Sequence, residues 1–149
     1  MELQEAILKR RSVRRFTDQE VTDQQLQQIF EAVRWSPSWA NTQTWEFVVI
    51  RDKELIQKVT ATYQMEKGTN PATKCSQAAS ALIVVCAKTG VSGCYGGKET
   101  TKFSNWFMFD LGIATQTLCL TAHEMGLGTV VVGLMNHDAC KELIALPEG

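Results

Sequence analysis

Four arginines occur within residues 10–15, around Ser12, near the start of this 149-residue chain. A guanidinium group is well suited to binding a phosphate, because its fork of donors matches the phosphate oxygens and it does not lose its charge. A run of charges is more often a solvated face. The apolar residues Val13 and Phe16, however, can anchor the segment to a core and so aim particular arginines at one place. Both interpretations, a solvated face and an anion-binding segment, remain open on these residues alone.

A second group of residues with useful chemistry lies between Trp35 and Trp45, where three tryptophans and two serines surround the amides Asn41 and Gln43. Aromatic faces can cover a planar ligand, and amides can both donate and accept hydrogen bonds at its edge. Pro37 is expected to end the preceding helix, because it lacks an N–H and disfavours the helical conformation of the residue before it. The alternative is an ordinary helix-to-strand connection with Trp35 and Trp45 in the core.

Composition argues against several other kinds of site. A net charge of −1 is unlike that of a nucleic-acid-binding protein, which normally carries a basic excess. The five cysteines form no Cys-x-x-Cys pair and the two histidines are far apart, which argues against a zinc site. Cys86, Cys119 and Cys140 lie in apolar runs and are expected to be small core residues. His123 is expected to be a packed or capping residue near a helix end.

Length, the acidic N-terminus and the lengths of the apolar runs predict the class of protein. The chain is long enough for one domain with a real core. Its first residues carry two acids and no long apolar stretch, unlike a signal peptide. No apolar run reaches transmembrane length. The sequence therefore predicts a single soluble domain in a reducing cytoplasm, without a membrane or nucleic-acid partner.

Helical spacing of apolar residues predicts the helices that position these groups. The long helices are expected at residues 2–10, 22–35 and 104–125, and Asp52 and Asn136 can cap two shorter ones. Thr22 and Gln25 resemble a capping box at the start of the second helix. The helix at 104–125 is apolar over much of its circumference, so it is expected to be buried in the domain centre or, more in keeping with so small a domain, against a second subunit.

Apolar runs at residues 45–51, 80–87 and 128–133 predict three buried strands. Alternation of these strands with helices indicates a covered sheet of mixed type. The glycine-rich residues 88–103 match no phosphate-binding loop and predict a mobile connection that could act as a lid. The predicted elements thus place the amide-bearing stretch directly before the first strand.

Three separated motifs carry a resemblance to a known family. They are Arg10-Arg-Ser-x-Arg14-x-Phe, Pro37-Ser-x-x-Asn-x-Gln43-x-Trp45, and His123-Glu-Met-Gly-Leu-Gly-Thr-Val-Val-Val-Gly133. In this order and at these distances they resemble the nitroreductase family of FMN-dependent oxidoreductases, over nearly the whole chain. The resemblance implies an α+β fold with a central mixed, mainly antiparallel sheet flanked by helices, in an intertwined homodimer.

The resemblance also implies two FMN sites at the dimer interface, each built from both subunits. One subunit would bind the phosphate through Arg10 and Ser12, with Arg14 near the pyrimidine edge and the backbone of residues 131–134 near the ring. The other subunit would line the opposite side with Pro37, Ser38, Asn41 and Gln43. Trp39 and residues 88–103 would form the walls of the cleft over the ring, in which nicotinamide and acceptor take turns. The implied cofactor-binding residues are Arg10, Arg11, Ser12, Arg14, Pro37, Ser38, Asn41, Gln43, Val131, Gly133 and Leu134.

The implied reaction passes hydride from NAD(P)H through the flavin to a nitroaromatic, quinone or similar small-molecule acceptor, so no side chain is assigned as a catalytic acid, base or nucleophile. The alternatives are reductive dehalogenation, flavin-fragmenting chemistry, and a flavin-binding protein without turnover for storage or electron relay. Two departures from the family occur. Thr44 stands where the family often has proline, and members usually continue past the last helix into a strand and tail, so the protein is expected to extend beyond Gly149.

Overall fold

A computed structural model describes residues 2–64 and 68–147, with six α-helices and four strands. The helices are α1 (Leu3–Lys9), α2 (Asp23–Arg34), α3 (Lys53–Ala61), α4 (Pro71–Ala78), α5 (Trp106–Glu124) and α6 (His137–Leu143). The strands are β1 (Trp45–Ile50), β2 (Leu82–Ala87), β3 (Cys94–Tyr95) and β4 (Lys98–Glu99). No helix in these two ranges combines the length and apolarity needed to cross a membrane.

The predicted helix caps are confirmed. Thr22 and Gln25 form a complete capping box at the start of α2. The carboxylate of Asp52 accepts from the amide of Leu55 at 2.7 Å, and the side chain of Asn136 accepts from the amide of Ala139 at 3.0 Å. Each cap satisfies an amide that the first turn of a helix leaves without a partner.

The central sheet pairs β1 with β2 in antiparallel register, from Trp45 opposite Ala87 to Ile50 opposite Leu82. Both strands were predicted from their apolar runs. The expectation that the second is covered on both faces holds only in part, because every residue of β2 is half-buried. Helices α2 and α5 pack together, and the partly buried Trp45 and Phe47 of β1 pack against their shared core.

The predicted third buried strand, at residues 128–133, is wrong. Residues 128–134, the exit segment that follows α5, form only a single parallel bridge between Thr129 and Ser12, and Met135 beyond them makes one antiparallel bridge to Tyr63. The side chain of Val131 is 67% exposed. An apolar β-branched run satisfies the sequence pattern, but a strand also needs a neighbour with which to pair. In the described residues the exit segment has no continuous neighbour.

One prediction about burial needs correction. Trp35 is 82% exposed, so the alternative that placed it in the core is wrong. Within one chain helix α5 is buried on one side only, because Met108 and Phe109 are both 61% exposed, and its expected burial against a second subunit stays a prediction. Its buried face is formed by Ala114, Leu118 and their neighbours against α2. The all-apolar pattern of α5 therefore gives one core-facing side and leaves large apolar side chains exposed near its first turn.

Candidate functional site

The arginine segment (residues 10–16) lies directly against the exit segment. The amide of Val13 donates to the carbonyl oxygen of Thr129 at 2.9 Å. A Cβ on Gly128 would stand only 2.9 Å from the Cβ of Val13, so glycine is what permits this close approach. Two groups of predicted site residues, far apart in sequence, are thus brought together within one chain.

The four predicted donors of the arginine segment differ in how available they are. One guanidinium nitrogen of Arg11 donates to the carbonyl oxygens of Leu8 and Arg10, both at 2.7 Å, and so binds the end of α1. Arg14 makes only a long contact of 3.4 Å to the carbonyl of Ser12. Ser12 and Arg14 are exposed and Arg10 is partly exposed. Arg10, Ser12 and Arg14 are therefore better placed than Arg11 to bind an anion.

The backbone of the exit segment presents unused donors. Among the described residues, no backbone hydrogen bond has the amide of Val131, Val132 or Gly133 as its donor. The carbonyl of Leu134 differs, since it accepts from the amide of Gln64 at 3.1 Å and from the side chain of Asn70 at 3.2 Å. The exposed amides of this segment therefore suit the edge of a polar ring, whereas the Leu134 carbonyl is already engaged.

Backbone strain is concentrated in the amide loop (residues 37–43). Ala40, Asn41 and Gln43 have φ of 46°, 56° and 48°, in the left-handed region that side-chain-bearing residues rarely adopt. Each such residue costs about 1 kcal/mol or more, and strain of this kind is often found at functional sites. The Ser38 hydroxyl accepts from the amide of Gln43 at 2.9 Å and holds the turn. Pro37 and the side chain of Asn41 are left exposed.

Gln43 ties the amide loop to the helix before it. Its side-chain amide donates to the carbonyl of Arg34, the last residue of α2, at 2.9 Å. This bond satisfies a helix-end carbonyl and fixes the direction in which the chain leaves the helix. Within this chain Gln43 therefore acts on its own backbone, and Asn41 is the amide of the loop that has room for a ligand.

Residues 91–100, the glycine hairpin, form a two-stranded turn in which β3 pairs with β4. A Cβ on Gly93 would lie 2.5 Å from the ring of Trp106, so the hairpin packs tightly on the first turn of α5. The Trp106 ring nitrogen donates to the Thr101 hydroxyl at 2.6 Å. The connection that was predicted to be mobile thus contains a short hairpin with several contacts to α5, and its mobility stays a prediction.

Sequence reasoning did not single out Asp110, which joins the glycine hairpin to the amide loop. Its carboxylate is 1% exposed and accepts from the amide of Trp39 at 3.0 Å and from the hydroxyl of Ser92 at 2.6 Å. The rings of Trp39 and Tyr95 meet with centroids 4.8 Å apart. The available signal was an acid within the apolar first half of a helix, where a carboxylate is costly unless hydrogen-bonded.

The predicted site residues fall into two groups at opposite ends of α5. The amide loop is held by Asp110 near the start of that helix, and the exit segment with the arginine segment follows its last residue, Glu124. At 1.5 Å per residue, Asp110 and Glu124 lie about 21 Å apart along the helix axis. The two groups are therefore attached at different ends of this helix.

Neither a reactive cysteine nor a metal site finds support in the described residues. Burial raises the pKa of the Cys86 and Cys140 thiols, so they stay protonated at neutral pH and are poor nucleophiles. The expectation that they and Cys119 are core residues is confirmed for Cys119 and Cys140, whereas Cys86 is half-buried. Within residues 2–64 and 68–147, no group of three His, Cys, Asp or Glu residues could hold a metal ion.

Comparison with known proteins gives matches along nearly the whole chain. Residues 7–149 match the family model described as Nitroreductase family. The FMN reductase (NAD(P)H) of Bacillus subtilis is 32% identical over 149 residues, which cover 93% of this chain and 57% of that protein. A solved nitroreductase family protein from Clostridium novyi has a TM-score of 0.87 at 26% identity, covering 99% of this chain and 78% of the other. An FMN-dependent nitroreductase structure from Clostridium difficile has a TM-score of 0.74 at 27% identity, covering 97% and 79%.

Proposed function

The chain belongs to the Nitroreductase family, and on that premise we propose that it is an FMN-dependent oxidoreductase. It passes hydride from NAD(P)H to a nitroaromatic, quinone or similar acceptor. The observation that carries this proposal is the contact of the arginine segment with the exit segment, because it joins exposed guanidinium groups to unused backbone amides. FMN, when bound, supplies the N5 atom that accepts and returns the hydride.

The donor set of these two segments fits FMN. Arg10 and Ser12 bind the phosphate, one by charge and the other by its hydroxyl. Arg14 lies at the pyrimidine edge of the ring, where a fixed positive charge stabilises the negative charge that develops on reduction. The amides of Val131 and Gly133 donate to the polar edge of the ring, and the exposed Val131 side chain provides apolar contact. None of these residues transfers a proton or forms a bond to the substrate.

The amide loop completes the site from a second copy of the chain. The attachment of the two groups at different ends of α5, with about 21 Å of helix between Asp110 and Glu124, supports this assignment, since a twofold partner can bring the loop of one chain to the arginine segment of the other. Large exposed apolar side chains also support a homodimer, because a monomer rarely leaves so many in water. They are Leu3, Ile7, Leu8, Trp35, Phe103, Met108, Phe109, Val131 and Leu134. The five free thiols support a reducing, cytoplasmic location.

Purified protein tests the proposed activity directly. We expect a yellow preparation, or a colourless one that becomes yellow on adding FMN and gel filtration, whose flavin absorption band is bleached by NADH or NADPH without oxygen. Addition of a nitroaromatic or quinone acceptor should restore the band. Product analysis with nitroaromatic, quinone and halogenated aromatic acceptors then identifies the acceptor class. A preparation that ignores added FMN would contradict the proposal, and a bound flavin that no nicotinamide cofactor bleaches would indicate storage or relay.

Replacement of Arg10 tests the phosphate assignment. Arg10→Ala should raise the dissociation constant for FMN about 10- to 100-fold, because hydrogen bonds to charged groups contribute about 1.5–3 kcal/mol. Equilibrium dialysis or flavin fluorescence measures the change. Arg51→Ala is the matched control, since it removes the same charge from a residue whose ion pair is with Asp23. Equal effects of the two substitutions would point to net charge rather than a phosphate contact.

A further inference from the structure

The carboxylate of Asp110 fastens two surface segments that belong to no common helix or strand. It is almost fully buried, and no ion pair found within the described ranges includes it. A carboxylate in such a place depends on hydrogen bonds for its stability. The carboxylate accepts two hydrogen bonds. One comes from the backbone N–H of Trp39 in the amide loop and the other from the hydroxyl of Ser92 in the glycine hairpin. Loss of this carboxylate would release both segments together.

Two aromatic rings lie next to these two fastening points. Trp39 is itself one donor, and Tyr95 follows the other donor, Ser92, by three positions in the hairpin. Their ring centroids are 4.8 Å apart with an interplanar angle of 53°. Tyr95 remains 64% exposed. The carboxylate therefore holds in place the segments that carry Trp39 and Tyr95, an aromatic pair next to the strained amide loop.

We propose that Asp110 is a positioning residue that sets acceptor selectivity, because it holds Trp39 and Tyr95 as an aromatic wall for planar, ring-shaped acceptors. The inference rests on the proposed function, which assigns the amide loop to the flavin site. Large, rigid aromatic side chains give contact area to a flat ligand at low entropic cost, provided that they are held in place. Asp110 itself touches neither substrate nor cofactor.

Two substitutions separate the two bonds of Asp110. Ser92→Ala removes only the hydrogen bond to the hairpin, whereas Asp110→Ala removes the hydrogen bonds to both segments. Asp110→Asn is the conservative variant, because its amide oxygen can accept from the Trp39 amide while its NH₂ group donates to Ser92. Thr100→Val is the matched control, since the Thr100 hydroxyl bonds the carbonyl of Gly93 within the hairpin and does not contact Asp110.

The first readout does not depend on activity. Hydrogen exchange of the Trp39 amide should be faster in Asp110→Ala by about tenfold or more, because that amide loses its acceptor. In Ser92→Ala the Trp39 amide should stay protected while exchange in the hairpin rises. An unchanged Trp39 amide in Asp110→Ala would overturn the proposal, because the carboxylate would then not hold the loop.

The second readout is a comparison of KM values for a naphthoquinone, which is planar, and ferricyanide, which is not. The KM for the naphthoquinone should rise about three- to tenfold in Ser92→Ala and at least as much in Asp110→Ala, since one or two hydrogen bonds that place the wall are lost. The KM for ferricyanide should stay within about twofold, and Asp110→Asn and Thr100→Val should resemble the wild type.

The outcomes distinguish this inference from the proposed function. Normal wild-type turnover with an unchanged ratio of the two KM values in Ser92→Ala and Asp110→Ala overturns the selectivity role alone. An equal change of that ratio in Thr100→Val does the same. A flavin-loaded wild type that reduces neither acceptor with NAD(P)H overturns both proposals. If Asp110→Ala fails to fold, the ratio of the two KM values in Ser92→Ala and Asp110→Asn tests the selectivity role instead: it should change in Ser92→Ala and stay the same in Asp110→Asn.

Discussion

A reassociated mixture of Arg14→Ala and Asn41→Ala subunits is expected to regain about a quarter of the wild-type activity, although each variant alone is nearly inactive. In a mixed dimer, one site combines the intact Arg14 of one chain with the intact Asn41 of the other. The second site carries both defects. Random reassociation makes about half of the dimers mixed, and each of these has one good site of two.

The geometry of α5 explains why this rescue requires two chains. Arg14 lies beside the exit segment after the end of that helix, and Asn41 lies in the loop held near its start. If both side chains served a site within one chain, mixing would produce no new combination. Reassociation after mild denaturation, followed by assay of NAD(P)H oxidation with a quinone acceptor, measures the recovery.

The matched control mixes Arg14→Ala subunits with subunits that carry both substitutions. No pairing in this mixture joins an intact Arg14 to an intact Asn41 across the interface, so activity should stay at the level of the variants alone. Recovery in this control, or no recovery in the main mixture, would contradict the shared site. The comparison needs no knowledge of the physiological acceptor.

The parts of the fold that sequence predicted are those set by neighbours along the chain. The capping box of Thr22 and Gln25 and the caps Asp52 and Asn136 act within three residues, so their patterns suffice. The run at residues 128–133 failed as a strand because pairing is decided by distant residues, and among the described residues only Ser12 pairs with it, at Thr129. The neighbouring residues could not show whether Trp35 is buried either, because its exposure depends on where α2 leaves the core.

The candidate site shows the same division. The residue types of the arginine segment and the amide loop predicted phosphate and ring contacts. The hydrogen bonds of Gln43 to Arg34 and of Asn70 to the Leu134 carbonyl join residues 9 and 64 positions apart, so they depend on three-dimensional proximity. Arg11 bonds Leu8, only three positions away, but no pattern in the sequence indicated that bond. Asp110 escaped notice because its two donors lie 71 and 18 positions away. Sequence thus proposes groups for binding FMN, and the structure shows which of them already make hydrogen bonds within the chain.

Gly128→Ala is expected to weaken FMN binding about tenfold or more, with a loss of about 1–3 kcal/mol in the free energy of unfolding, as for other overpacked contacts. The new Cβ would lie 2.9 Å from both the Cβ and the Cγ1 of Val13. Val13 must therefore move, and its amide then loses the bond to Thr129. Ser12 and Arg14, on either side of Val13, move with it.

A double-mutant cycle isolates this steric cause. In a Val13→Gly background the side chain that clashes is absent, so adding Gly128→Ala should cost little further FMN affinity or stability. Flavin fluorescence titration and thermal unfolding of the four proteins give the two coupling free energies. If Gly128→Ala is equally harmful with and without the Val13 side chain, the contact is not its cause. If it leaves FMN affinity unchanged while lowering stability, then the packing of Val13 on Gly128 supports the fold but does not position Ser12 and Arg14 for the phosphate and the ring.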